Sequence, residues 1–258
     1  MKIYVTGIIF SLFILLSGCS TVYQHTQKDS ALNLYVRGLV DESNGNINGA
    51  RSLYVKALKL NPDNGYLYEK LGKIALKDKK YKESVEDFKE SIRSGSQYPD
   101  NYFGLGLAYL ALGNYKDAES NLEAGLKKRE NNDYRIILSG VYIKTGRYRK
   151  AEKSYKLLVK KFPDNILILY NYASILGKEN KFLEAEKIYK KIINSAPYFI
   201  NAYVNLVLMY EKQNEPGKAE NYCRELIASR PENSIGYSLL SFIYVLVYDF
   251  IQGIFNYT

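Results

Sequence analysis

Few residues in this 258-residue chain could carry covalent or proton-transfer chemistry: one histidine, two cysteines and a short acidic run. His25, the only imidazole, lies in the amino-terminal segment ahead of the patterned region, where it is not expected to pair with a nucleophile, and a single histidine makes no histidine metal cluster. Glu83, Glu86 and Asp87 crowd one helical segment, where paired carboxylates are expected to face solvent, not to flank a substrate as acid and base. The sequence contains no cysteine-histidine metal spacing, phosphate-cradling glycine loop or nucleophile elbow. These residues predict no enzyme and no cofactor.

The chemistry that remains belongs to Cys19. An uncharged run from Ile3 to Gly18 follows Met1 and Lys2, too short to span a bilayer comfortably and of the right length for the core of a signal peptide. It closes as Leu16-Ser17-Gly18-Cys19, which resembles the bacterial lipobox. The resemblance implies removal of residues 1–18 and a covalent lipid on Cys19, followed by a polar tether through residue 30. Several acyl chains at about 0.8 kcal/mol per buried methylene would make release from the membrane negligible. Ser20, where an Asp commonly marks inner-membrane retention, favours the outer membrane, on its periplasmic face or at the cell surface. Cys223 then has no disulfide partner and is expected to be an inert core thiol.

The elements that would position any binding residue are set by a repeat. A small residue returns every 34 positions, with one step of 33: Ala50, Ser84, Ala118, Ala151, Ala185, Ala219 and Gly253. With that residue at copy position 20, small residues stand at position 8 as Gly38, Gly72, Gly106, Ser139, Ala173 and Ser241, with Val207 the exception. Position 24 carries Tyr54, Phe88, Leu122, Tyr155, Tyr189 and Tyr257, and Cys223 in the sixth copy. Position 17 is Ile47, Tyr81, Tyr115, Tyr148, Phe182 or Phe250, with Pro216 in the sixth copy, and Pro62, Pro163, Pro197 and Pro231 close four copies. Apolar residues recur at helical spacing, as in Leu105, Ala108, Tyr109 and Leu112. Gly45, Gly113 and Gly146 stand at position 15, where the chain must leave one helix for the next.

This pattern resembles the tetratricopeptide repeat, a helix-turn-helix unit of 34 residues. The resemblance implies an all-α, right-handed superhelical solenoid in which small residues at positions 8 and 20 mark the helix contacts. Six copies run over Ala31–Asn64, Gly65–Tyr98, Pro99–Asn131, Asn132–Asn165, Ile166–Phe199 and Ile200–Asn233, and a partial seventh over Ser234–Thr258. The family's usual tryptophan at position 4 is absent, with tyrosines at 68, 102, 203 and 237 in its place.

The resemblance also implies a ligand groove lined by positions 2, 5, 9, 12 and 13 of each first helix. Its middle would be apolar, with Phe103, Leu107, Leu110, Ile136, Ile143 and Tyr170, and Ala111 beside them. Lys77, Lys144, Lys178 and Lys212 would form a lysine row along one edge. Asn171 and Asn205 at position 6 resemble the asparagine ladder with which some family members hold a peptide main chain. The expected ligand is an extended or helical protein segment with apolar anchors and a carboxylate.

The net charge of +9 would suit a nucleic acid in the cytoplasm, but an exported chain does not meet one. Its densest basic stretch is Arg147, Arg149, Lys150, Lys153, Lys156, Lys160 and Lys161, opposed only by Glu152. That stretch reads as a solvated face or as attraction to anionic headgroups or an acidic partner. Residues 234–258 carry Asp249 as their only charge and lack the polar outer helix that normally ends a repeat array, which suggests docking or self-association there. The sequence thus predicts a lipid-anchored interaction scaffold of the bacterial envelope, serving pilus secretin, outer-membrane protein or cell-wall enzyme assembly. A surface lipoprotein meeting host molecules is the alternative.

Overall fold

The computed structural model describes residues 30–232 and 234–255, with side chains described as far as residue 245. The segment expected to be a signal peptide, Cys19, most of the expected tether, His25 and Tyr257 lie outside the described residues. The described residues form thirteen helices: α1 over 30–43, α2 Ile47–Leu60, α3 Gly65–Lys77, α4 Tyr81–Arg93, α5 Pro99–Ala111, α6 Tyr115–Lys128, α7 Asn132–Lys144, α8 Tyr148–Lys161, α9 Ile166–Lys178, α10 Phe182–Ser195, α11 Ile200–Lys212, α12 Pro216–Ser229 and α13 Ser234–Phe255. No strand occurs among them. The chain is all-α, as its periodicity predicts, and divides into two compact units, one ending at Val141 and one beginning at Tyr142, within α7.

In the first unit α2 packs on α3, α3 on α4, α4 on α5 and α5 on α6, so each helix lies against its sequence neighbours. In the second, α8 packs on α9, α9 on α10, α10 on α11, α11 on α12 and α12 on α13. Each element is fixed at its ends by local chemistry. The side-chain oxygens of Asn46, Asn64, Asn114, Asn131 and Asn165 accept backbone N–H bonds from the first turns of α2, α3, α6, α7 and α9. Pro99 and Pro216 start α5 and α12, where a missing N–H costs nothing.

The turn inside each complete copy has one form. Position 15 adopts a left-handed φ in all six: Gly45, Gly113 and Gly146, but also Lys79, Asn180 and Asn214 at 61°, 60° and 57°. The next residue donates its N–H back to the last turn of the first helix, as from Lys80 to Ala75 (2.8 Å) and from Lys181 to Leu176 (2.9 Å). The second copy has no closing proline. There Gly95 takes φ 85° and Ser96 N–H bonds the Ser91 carbonyl at 3.2 Å, so a glycine cap ends α4 in proline's stead. In the seventh copy Tyr248 holds position 15. An aromatic residue resists the left-handed region, and α13 continues for 22 residues where the other first helices stop after thirteen or fourteen.

Side-chain volume at positions 8 and 24 is traded within each hairpin. A Cβ on Gly38 would lie 2.4 Å from Tyr54, one on Gly72 3.2 Å from Phe88, and one on Gly106 2.8 Å from Leu122. In the sixth copy Val207 and Cys223 reverse the assignment, large at 8 and small at 24, and both are buried completely. Ala50, Ala118, Ala151, Ala173, Ala185 and Ala219 are equally inaccessible. Ser84, standing where the other five complete copies have alanine, satisfies its buried hydroxyl on the Gly72 carbonyl at 2.9 Å.

Candidate binding surfaces

The residues expected to line a groove divide into those the fold leaves open and those it uses itself. In the first unit Leu107 and Leu110 are half-buried, while Ile136 and Lys77 are exposed. Phe103 is fully buried and is corrected from ligand contact to core. Its ring stacks on Tyr134 with centroids 3.9 Å apart, in space vacated by Gly125, whose added Cβ would sit 2.5 Å from it. Elsewhere in this unit Tyr66 and Tyr98, which the sequence did not single out, form an exposed pair with hydroxyls 2.9 Å apart and rings 5.5 Å apart.

In the second unit Ile143 is half-buried and Lys144 exposed. The two asparagines serve the fold. Asn205 Nδ2 donates to Tyr170 Oη at 3.0 Å and to Tyr189 Oη at 3.2 Å, and Asn171 hydrogen-bonds Tyr155. Burial pushes the Tyr189 hydroxyl up to about 12, against the lowering effect of the Asn205 amide. Each position-6 asparagine therefore satisfies the position-24 tyrosine of the preceding copy. Tyr170 is half-buried, its ring set edgewise to Phe199 at 5.2 Å.

The same link recurs in the first unit in other chemistry. Tyr54 donates to Glu42 Oε2 at 2.7 Å, and Lys70, at position 6 of the next copy, donates to the same oxygen at 2.9 Å. Burial pushes the Glu42 carboxyl up, but the bonds from Tyr54 and Lys70 outweigh it and hold the group below its usual value. Phe88 has no hydroxyl, and Gly104 follows it. A Cβ there would lie 2.2 Å from the ring tip.

The lysine row is partly engaged as well. Lys212 Nζ donates to the Gly177 carbonyl at 3.1 Å and to Asn180 Oδ1 at 3.0 Å, and lies 5.4 Å from the centre of the Phe182 ring. Lys178 sits 5.5 Å from the Tyr148 ring. These lysines complement the carboxyl ends of helices and the aromatic residue at position 17. Their ammonium groups still reach solvent.

A mainly apolar cleft lies between α11 and α13. Its volume is about 250 Å³ and it is lined by Ile200, Val204, Ile235, Leu239 and Phe242, with Ser234 and Ser238 as its polar members. It adjoins a wider recess of about 670 Å³ that shares Ile200, Ser234 and Ile235 and adds Tyr198, 86% exposed, and Arg230. Val204 and Ser238 hold position 5, Ile235 position 2 and Phe242 position 9, so the positions applied to the middle copies would have found this cleft in the sixth and seventh.

Two other expectations resolve differently. Cys223 is a free buried thiol, pushed up to about 11 by burial, and is poorly reactive at neutral pH. Asp87 is only partly exposed: its Oδ2 is buried without a hydrogen-bond partner, and burial, followed by the nearby Glu83, pushes the carboxyl up to about 7. Glu83 is engaged by Arg51. No group of three or more His, Cys, Asp or Glu able to hold a metal occurs among the described residues. No described helix, α13 included, is long and apolar enough to cross a membrane.

Models of the tetratricopeptide repeat match residues 35–99, 103–166, 167–199 and 200–233. Among solved structures, YrrB, described as a TPR protein with an unusual peptide-binding site, superposes with a TM-score of 0.59 at 18% identity, covering 72% of this chain and 96% of its own. A tetratricopeptide repeat protein from Parabacteroides merdae gives a TM-score of 0.59 at 16% identity over 85% of this chain and 88% of its own. At these identities the likeness is one of fold. A curated relative, anaphase-promoting complex subunit 3 of Schizosaccharomyces pombe, is 25% identical over 122 residues, 47% of this chain. The matched segment spans only 18% of that relative's length.

Proposed function

The chain belongs to the tetratricopeptide repeat family, and we propose that it is a non-enzymatic scaffold that holds segments of other proteins while tethered to a bacterial membrane. The observation that supports binding is the α11–α13 cleft: open, apolar, and supplied with serine hydroxyls as its polar groups, it can accept an apolar side chain but offers no acid, base or nucleophile pair. Exposed Tyr66 and Tyr98 offer a second, aromatic contact in the first unit. The lipobox-like Leu16 to Cys19 supports a lipid anchor and Ser20 an outer-membrane one, and partners of a chain so anchored would be envelope proteins. Assembly of a pilus secretin, of outer-membrane proteins or of cell-wall enzymes fits such a layout.

Photo-crosslinking in living cells tests the binding role from Tyr66 and Ile200, both 53% exposed. A discrete envelope protein captured at Ile200, and lost when Phe242→Lys is added, is the expected result. Capture unaffected by Phe242→Lys would show that the cleft is not the binding site. Metabolic labelling with an alkynyl fatty acid tests the anchor separately. Label on the wild type and none on Cys19→Ser supports it, and an unlabelled wild type removes it.

A further inference from the structure

Helix α8 differs from the other second helices of the chain in what it turns outward. Its inner side buries Ala151, Ser154, Tyr155 and Leu158. Its outer side carries Lys153, Lys156 and Lys160, all exposed, around Leu157, which is 54% exposed. From Arg147 to Lys161 there are seven Lys and Arg against one Glu, in a chain whose whole excess is +9. Glu152 does not neutralise the row, because it is engaged by Lys181 of the next hairpin. Among the described residues Lys153, Lys156 and Lys160 make no ion pair. Helix α4 shows that such an outer face is not a requirement of the fold, for it alternates Lys82, Glu86, Lys89, Glu90 and Arg93.

We propose that the outer face of α8 docks on an anionic lipid surface, Lys153, Lys156 and Lys160 meeting headgroup phosphates while Leu157 enters the interfacial layer. Three observations favour lipid over an acidic protein. The row is lysine, a point charge on a flexible stem that suits a fluid headgroup layer, whereas a fixed carboxylate partner would favour the planar fork of arginine. The leucine at its centre offers an aliphatic side chain with no hydrogen-bonding group, suited to the acyl boundary beneath the phosphates. Helix α10 of the same unit shares one part of this face, an exposed leucine (Leu183, 83% exposed) on the helix that carries Lys187 at the copy position of Lys153, although its Lys190 and Lys191 are paired with Glu186 and Asp164. The surface requires neither the α11–α13 cleft nor a lipid on Cys19.

The chain has no tryptophan, so Leu157→Trp in the full-length protein gives a unique reporter. With phosphatidylcholine vesicles containing phosphatidylglycerol at low ionic strength, its emission should shift to the blue. With phosphatidylcholine alone it should not, even where the amino-terminal segment binds the vesicle. The added K153E, K156E and K160E substitutions should weaken partitioning to the anionic vesicles by at least about 100-fold, since each headgroup-adjacent lysine contributes on the order of fivefold and each glutamate adds repulsion. About 1 M salt should do the same to the unsubstituted reporter. Glycerol phosphate at matched concentration should not compete, which separates a lipid surface from free phosphate. The neutral set K153Q, K156Q and K160Q should give a loss in the same direction with an unchanged far-ultraviolet spectrum, which separates charge from unfolding. Equal emission with both vesicle types overturns the proposal, and so does a blue shift produced by polyglutamate but not by vesicles.

Discussion

Asn205 on α11 donates its side-chain amide across 3.2 Å to the hydroxyl of Tyr189 on α10, one of the polar contacts that join one repeat to the next. Tyr189 is 2% exposed and Ser174 is its other side-chain hydrogen-bond partner, so losing the Asn205 amide leaves a buried hydroxyl less well satisfied, which costs more than the bond gains. Asn205→Leu should destabilise the chain by roughly 1–3 kcal/mol, and adding Tyr189→Phe should recover part of that loss. Urea midpoints of the two single variants and the double variant measure the coupling. Strict additivity would show that the contact is incidental.

Glycines that look alike in the sequence should respond with opposite sign. Replacing a helix-interior glycine by alanine ordinarily stabilises by about 1 kcal/mol. Gly140→Ala, with nothing within 4 Å of the new methyl, should behave so. Gly104→Ala, which points at the Phe88 ring from 2.2 Å, should instead lose roughly 1–2 kcal/mol net, and Phe88→Leu should relieve it. Thermal melts of the three variants decide the matter, and a stabilised Gly104→Ala would mean that the ring has room to move.

How much of this was readable beforehand differs between fold and site. The period placed the helices because burial repeats with it: Ala118, Ala151 and Ala185 have no exposed surface and stand in successive copies. Gly45, Gly113 and Gly146 announced their turns, but Lys79 and Asn180 adopt the same left-handed backbone with no glycine to mark it. The site was harder because it depends on contacts between copies. Phe103 looks like a groove anchor until Gly125 and Tyr134 are seen to enclose it, and Asn171 looks like a peptide ligand until Tyr155 takes its amide. A usable signal was present: Asn follows a copy whose position 24 is Tyr in two cases, and Gly follows the copy with Phe.

Asp87 gives the chain a pH dependence whose sign can be fixed. Its folded-state value of about 7 lies above the ordinary 3.8, so the native state holds more protons than the unfolded chain between those limits. Stability should therefore decline as pH rises from about 4 to 7 and level off above. Glu42, held below its usual value, contributes in the opposite direction only in more acid solution. Asp87→Asn should flatten the decline and raise the melting temperature at pH 8. An unchanged slope between pH 5 and 8 would assign it to another group.

The reversed pair in the sixth copy should tolerate only concerted change. Cys223→Tyr installs the residue that copies one, four and five have at position 24, but here it meets Val207 in a site with no exposed surface. A loss of roughly 1–3 kcal/mol is expected, recovered largely when Val207→Gly is added. Denaturant titration of the single and double variants reads this directly. A Cys223→Tyr chain as stable as the wild type would show spare volume between α11 and α12.

Because the amide that satisfies Tyr189 is supplied by the following copy, the hairpin outlined by the 34-residue period is not the smallest piece that can be transplanted intact. A graft of α9 and α10 alone would leave Asn205 behind and carry the tyrosine into its new host with Ser174 as its remaining side-chain partner. Splicing from Asn180 to Asn214, inside two exposed left-handed turns, would move donor and acceptor together. The natural scissors sites for recombining or lengthening this chain therefore fall halfway through each copy, out of phase with the pattern by which the copies are recognised.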